Sequence, residues 1–302
     1  MDKEKPLRIG TRGSPLALAQ AEAVRAALGG GEIVTVKTAG DRRQDVRLSE
    51  LGGKGVWTKE LERALIEGDI DLAVHSLKDV ESERPPGLVI AVTLPRADVR
   101  DRLIGVASLA ELKAGMTVGT SSPRREAQLA RLVPGLNFVP LRGNVATRLK
   151  RIEEGAADAT LLAAAGLTRL GMADTGTAVD TDKLLPAPGQ AAIAVETRAD
   201  DAAVRGRLAD ISHAETFIAV TAERAFARRL GGDCHSPVAA LAERDGPDRY
   251  RLRAEILSPG GADIVAGERI FAPDDAAEAG AALAEELLGR APASIRDLFA
   301  GA

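Results

Sequence analysis

Two stretches of this 302-residue chain repeat one another, and that repeat limits the fold more than any other feature. The first runs Leu7-Arg8-Ile9-Gly10-Thr11-Arg12-Gly13-Ser14-Pro15 and continues to Ala19-Gln20. The second runs Val118-Gly119-Thr120-Ser121-Ser122-Pro123 and continues to Ala127-Gln128. Each reads as a short apolar strand ending in Gly-Thr, then Ser-Pro opening a helix. Serine suits the N-cap, and proline suits the first helical position, where no amide bond is lost. The echo returns further on. Val56-Trp57-Thr58-Lys59 leads to Glu67-Gly68 and the strand Leu72-Ala73-Val74; Val145-Ala146-Thr147-Arg148 leads to Glu154-Gly155 and the strand Ala159-Thr160-Leu161-Leu162. Gly68 and Gly155 read as helix C-terminal caps. Strands alternating with helices predict α/β domains with largely parallel sheets. A helix start at the end of a strand collects anions, and two similar lobes across a cleft would bring both starts to one ligand.

Composition narrows the function. Hydrophobic residues make up 45% of the chain, which is globular usage, and the length allows two or three domains. Aromatics are 2% and the net charge is −4, so neither a base-stacking platform nor a general attraction to nucleic acid or anionic membrane is expected. No signal peptide and no run of about 20 apolar residues is visible, so a cytoplasmic setting is expected. A single cysteine, Cys234, excludes an internal disulfide and a multi-cysteine metal site, and no metal is expected. Glycines before it and a proline after it place Cys234 in a loop, where it is either an inert thiol or a site of covalent chemistry.

Arginines gather where strands meet helices: Arg12, Arg124, Arg125, Arg142, Arg148 and Arg169. Guanidinium groups grip carboxylates in a planar, two-pronged way, so a polyanionic ligand is expected here. Arg131, Lys150 and Arg151 read as a solvated helix face. Among these cations stands Asp79, just past the strand Leu72-Ala73-Val74. A carboxylate in that company suits stabilising a developing positive charge better than donating a proton. His75 reads as a structural histidine at a strand end. Gly52-Gly53-Lys54-Gly55 reads as a mobile lid carrying one charge; it lacks the ending of a P-loop.

Together these stretches resemble the porphobilinogen deaminase family over essentially the whole chain. The matching motifs are TRGSPLALAQ (11–20), GGKG (52–55), AVHSLKD (73–79), GTSSPRR (119–125), LRGNVATR (141–148), AGLTRLG (165–171), LPAPGQ (185–190) and the cysteine loop. The resemblance implies an α/β protein with two lobes like type II periplasmic binding proteins, bearing mixed sheets, and a small C-terminal α/β domain with an antiparallel sheet. Domain one would take 1–96 and 191–211, domain two 99–187, and domain three 213–302. The crossings would fall near Arg96–Arg100 and Pro186–Gln190, with Ala191–Val195 returning as a strand to domain one. Domain three would run from His213 as a helix to Leu230, through strands Val238–Ala242, Tyr250–Leu257 and Ile264–Phe271, to a helix over Asp275–Leu288.

The resemblance also implies a monomeric transferase of tetrapyrrole biosynthesis. Four porphobilinogen molecules would be joined head to tail, each losing ammonia, to give hydroxymethylbilane. Cys234 would carry a dipyrromethane cofactor through a thioether. Asp79 would hold the pyrrole N–H and steady the azafulvene-type cation left when ammonia departs. Arg12, Ser14, Lys78, Thr120, Ser121, Ser122, Arg124, Arg125, Arg142, Arg148 and Arg169 would meet acetate and propionate groups. Gly143, Asn144 and Gln190 belong to the same binding motifs. Lys54 and Lys59 would serve the mobile loop and the helix after it, and Ser76 would help position the cofactor. Three departures stand out: Asp233 before the cysteine, Glu81 after Asp79-Val80, and Ala191 where the family has glycine. A non-catalytic anion sensor would explain the lobes and arginines but leaves Cys234 idle. A cysteine hydrolase using Cys234 with His235 or His75 lacks an evident orienting residue.

Overall fold

The computed structural model describes residues 5–37, 58–231 and 236–300. The chain divides into two compact units, Met1–Ala97 with Ala192–Phe217, and Asp98–Ala191 with Ile218–Ala302. Lys54 and Cys234 lie outside the described residues, as does the Gly52–Gly55 loop.

The first unit is built on one five-stranded mixed sheet, in the order β2 (Glu32–Val36), β1 (Arg8–Arg12), β3 (Leu72–Ser76), β10 (Ile193–Arg198), β4 (Leu88–Thr93). β1 runs parallel to β2 and β3, whereas β10 is antiparallel to both β3 and β4. Side chains alternate across a strand, so one β3 serves two cores. Leu72 and Val74 join Ile9, Ala21 and Val24 under helix α1 (Pro15–Ala27), while Ala73 joins Leu61, Leu65 and Ile70 under helix α2 (Lys59–Ile66). Ser14 caps α1 as expected, accepting from the amide of Ala17, and Gly68 takes the left-handed conformation (φ 76°) past α2.

The second unit repeats the design. Its sheet runs β7 (Asn137–Val139), β6 (Thr117–Gly119), β8 (Ala159–Ala163), β5 (Asp101–Ile104), β9 (Thr177–Val179), again with parallel pairs around the second strand and an antiparallel fourth. Ser122 caps α3 (Pro123–Leu132), Asn144 caps α4 (Val145–Glu153), and α5 (Ala164–Arg169) follows β8 directly. Gly10 and Gly119 show why the repeated Gly-Thr is needed. A methyl group at the first would collide with Ile70, and at the second with Leu141.

The same unit also holds an antiparallel sheet of β11 (Val238–Arg244), β12 (Tyr250–Leu257) and β13 (Ile264–Phe271). Helix α6 (Ala214–Leu230), which spans the unit boundary, and helix α7 (Ala276–Arg290) bury Phe226, Leu283 and Leu287 against Leu252 and Ile256. The α/β architecture matches the sequence expectation. One strand begins later than expected: β10 starts at Ile193, not Ala191, because Ala191 sits at φ 71° and cannot extend a ladder. Among the described residues no helix is long and apolar enough to cross a membrane, and none form a cluster that could hold a metal ion.

Candidate active site

In the first unit the chain leaves β3 through a tight turn, Leu77–Asp79, that carries the Asp79 carboxylate outward. Leu77 is buried and its amide donates to the carbonyl of Ala192 (3.0 Å); the amide of Val80 closes the turn on the Leu77 carbonyl (3.1 Å). Lys78 is half-buried and Asp79 is exposed. Just before the turn, Ser76 exchanges hydrogen bonds with the side-chain amide of Gln20 (2.8 and 3.0 Å), tying β3 to α1. That bond occupies the Ser76 hydroxyl. Arg12 is half-buried at the end of β1, beside the Ser14 cap, and Lys59 is exposed at the first position of α2.

His75 is interior, as expected. Its Nε2 lies 3.0 Å from Oε2 of Glu196, and Nε of Arg84 donates to the other oxygen at 2.8 Å. Burial alone would raise the Glu196 pKa; the His75 hydrogen bond and Arg84 more than offset this and bring it below the usual value.

In the second unit, three expected ligand groups cluster at the start of α3. Thr120 Oγ1 accepts from the amide of Ser122 (3.1 Å), Ser121 donates to the carbonyl of Leu141 (3.3 Å), and Ser122 accepts from the amide of Arg125 (3.4 Å). Arg142 is half-buried. Next to it Gly143 takes φ 105°, where an added Cβ would press on Thr147, and its carbonyl accepts from Nε of Arg148 (2.9 Å). Asn144 Oδ1 caps α4 through the amide and hydroxyl of Thr147.

Arg124 and Arg125, expected to meet ligand carboxylates, and Gln190, of the same binding motifs, share one carboxylate of the protein. All three are buried, and all three converge on Asp101. Arg125 donates to Asp101 through Nε and Nη2 (3.2 and 2.7 Å), and Arg124 through Nη2 (2.8 Å). Arg125 also donates to the carbonyl of Leu161, and Arg124 to the carbonyl of Leu185 and to Gln128. Gln190 Nε2 bridges Asp101 and the carbonyl of Val99. Burial pushes the Asp101 pKa up, but the two guanidiniums win and hold it well below the usual carboxylate range. The physical reason for the inward placement is the carboxylate: a charge on β5 at 1% exposure needs cations within reach.

Arg169 is the opposite case. Nη2 donates to the carbonyl of Ala191 (2.5 Å), yet burial lowers its pKa with no carboxylate offsetting it among the described residues. A half-buried cation so placed has an affinity for anions that the carboxylates of the described residues leave unused. This donor set fits a group bearing several carboxylates, as dipyrromethane does.

Sequence reasoning missed Asp101, Glu196 and Arg84. A signal was present, since Asp-Arg-Leu-Ile and Ile-Ala-Val-Glu-Thr each carry an acid within an apolar strand, and a buried acid must be paired.

The fold and site thus define a class: a duplicated α/β protein whose strand–helix junctions gather cations and present one exposed carboxylate. Comparison with known proteins identifies the family. Residues 7–206 match the porphobilinogen deaminase, dipyromethane cofactor binding domain, and residues 217–289 match the porphobilinogen deaminase, C-terminal domain. A porphobilinogen deaminase of Paracoccus denitrificans is 52% identical, covering 98% of each chain. The chloroplastic porphobilinogen deaminase of Pisum sativum is 43% identical over 96% of this chain and 83% of its own. Among solved structures, lipoprotein Tp32 of Treponema pallidum aligns with a TM-score of 0.42 and 14% identity, covering 70% of this chain and 93% of its own. The chain belongs to the porphobilinogen deaminase family. It is a transferase of tetrapyrrole biosynthesis with a dipyrromethane cofactor, the activity known as hydroxymethylbilane synthase.

Proposed function

We propose that Asp79 is the catalytic carboxylate and that Cys234 anchors the cofactor. The observation that carries this reading is the Asp79 turn: a buried, doubly hydrogen-bonded base that delivers one exposed carboxylate at a strand end. A fixed anion there stabilises the positive charge that spreads onto the pyrrole nitrogen of porphobilinogen as ammonia leaves. Because the carboxylate is already oriented, little reorganisation is needed as that charge develops.

The dipyrromethane, when bound, supplies the nucleophilic pyrrole carbon on which the chain of four units is built. Cys234 would hold it by a thioether, with Ser76 and Lys78 beside it. Arg12, Arg142, Arg148 and Arg169 bind acetate and propionate groups, together with Lys59 and Lys54. The capped helix starts at Ser14, Thr120, Ser121, Ser122 and Gly143-Asn144 add backbone dipoles. Arg124 and Arg125 support the same function from behind α3, with Gln190 steadying their shared carboxylate. Asp101 answers both guanidiniums and so fixes the first turn of that helix. The three separate sheets support reading the chain as domains 1–96 with 191–211, 99–187, and 213–302. The protein acts as a cytoplasmic monomer, and neither nucleic acid nor membrane takes part.

Intact mass of the purified protein tests this directly. The expected mass exceeds the polypeptide by one dipyrromethane, and Cys234→Ala removes the increment together with activity. An active protein at the bare polypeptide mass would overturn the assignment.

A further inference from the structure

The segment that presents Asp79 leaves β3 and returns to β4, and one carboxylate that belongs to neither strand grips both of its ends. Glu196, on β10, places Oε2 3.0 Å from Nε2 of His75, just before the turn, and accepts from Nε of Arg84, just beyond it, at 2.8 Å. Arg84 Nη2 reaches both Glu196 and Glu62 of α2 (2.6 Å each). The Glu196 side chain is 0% exposed, and those of His75 and Arg84 are 4% and 9%.

The sheet is shaped to make this contact. His75 lies opposite Ala194 and Glu196 opposite Ala73, so the two side chains are diagonal neighbours on one face. On the other side of β10 the register with β4 shifts between Val195 and Glu196. Such an irregularity re-aims a side chain. A buried ion cluster carries a desolvation penalty that its mutual attraction roughly balances, so packed apolar residues in place of Glu196, His75 and Arg84 together would serve stability as well or better. Stability alone therefore does not account for an acid at this position.

We infer that Glu196 is a positioning residue for the reaction: by holding His75 and Arg84 together it sets the place and orientation of Asp79. The inference rests on the reading of Asp79 as the catalytic carboxylate. A carboxylate misplaced by about 1 Å costs on the order of 100-fold in rate, and the loss falls on kcat when ground-state binding is untouched.

The test is a double-mutant cycle on the cofactor-loaded protein, with kcat, KM for porphobilinogen, intact mass and melting temperature measured throughout. Glu196→Gln keeps the shape and removes the charge. It is expected to lower kcat about 10- to 100-fold, with KM within about 2-fold and the dipyrromethane increment intact. In the Asp79→Ala background the same change should cost less than about 2-fold of the residual rate. An unchanged kcat in the otherwise wild-type protein, or an equal loss in both backgrounds, would show a purely structural role and overturn the inference. Normal turnover by Asp79→Ala alone would instead sink the reading beneath it. Arg84→Lys, which keeps a cation but loses the two-nitrogen grip on Glu196, decides the matter if Glu196→Gln does not fold: a fall in kcat at constant KM supports the inference, and unchanged kcat ends it.

Discussion

The two five-stranded sheets share a strand order, a pattern of parallel and antiparallel pairs, and even their smallest brackets. In the first, the amide of Asp71 donates to the carbonyl of Arg8 while its carboxylate accepts from the amide of Arg8 (2.7 Å). In the second, Asp158 and Thr117 make the same two bonds, the second at 2.6 Å. In both sheets the antiparallel fourth strand carries a buried acid, Glu196 on β10 and Asp101 on β5. What differs is the element each acid grips. Glu196 holds the two ends of the turn that presents Asp79, whereas Asp101 holds Arg124 and Arg125 at the first turn of α3. Counted onward from Asp71 and Asp158, His75 corresponds to Leu162 and Asp79 to Gly166. The duplicated scaffold therefore supplies helix starts to both units, and its charged interior makes one unit present an anion and the other accumulate cations.

That contrast can be broken at several points. The largest effect is expected at Asp79, where replacement by alanine should lower kcat by at least about 100- to 1,000-fold while the melting temperature stays near wild type. Asp101→Ala should do the reverse. It leaves two buried guanidiniums unanswered and should cost about 3–5 kcal/mol in urea unfolding. Asp101→Asn sharpens this point through pH. A carboxylate whose folded pKa is depressed stabilises the protein above its unfolded value, about 3.9, and loses that contribution as the pH falls below it. The stability gap between wild type and Asp101→Asn should therefore be full at pH 5 and shrink in stronger acid.

Arg169→Met should raise KM roughly 10-fold, the order of one lost charge-assisted contact, with stability unchanged or improved, because no internal carboxylate is orphaned. The smallest effect concerns Ala191, the only non-glycine at positive φ among the described residues. Ala191→Gly should stabilise the protein by about 1 kcal/mol, read by denaturant midpoint, since an L-residue pays roughly that much in the left-handed region.

Much of this was legible in the sequence because it depends on neighbours. Ser14-Pro15 and Ser122-Pro123 announce helix starts, Gly68 and Gly155 announce helix ends, and the strands that the family resemblance implied at Tyr250–Leu257 and Ile264–Phe271 have the observed bounds. The buried ion clusters were not legible because they join residues remote in the chain. The acid of Ile193–Arg198 shows in the text, but nothing there says that His75 and Arg84 will meet it. The same gap hid the pairing of Arg124 and Arg125 with Asp101, which lies in a strand more than twenty residues earlier. Ala191 misled in a simpler way, reading as the first residue of an apolar strand while its backbone turns the other way.

Stepwise intact mass most directly tests whether the Asp79 carboxylate drives the chemistry. Cofactor-loaded wild type given porphobilinogen should gain successive one-unit increments, whereas cofactor-loaded Asp79→Ala should keep its dipyrromethane increment and gain none. Increments in Asp79→Ala at the wild-type rate would contradict the account.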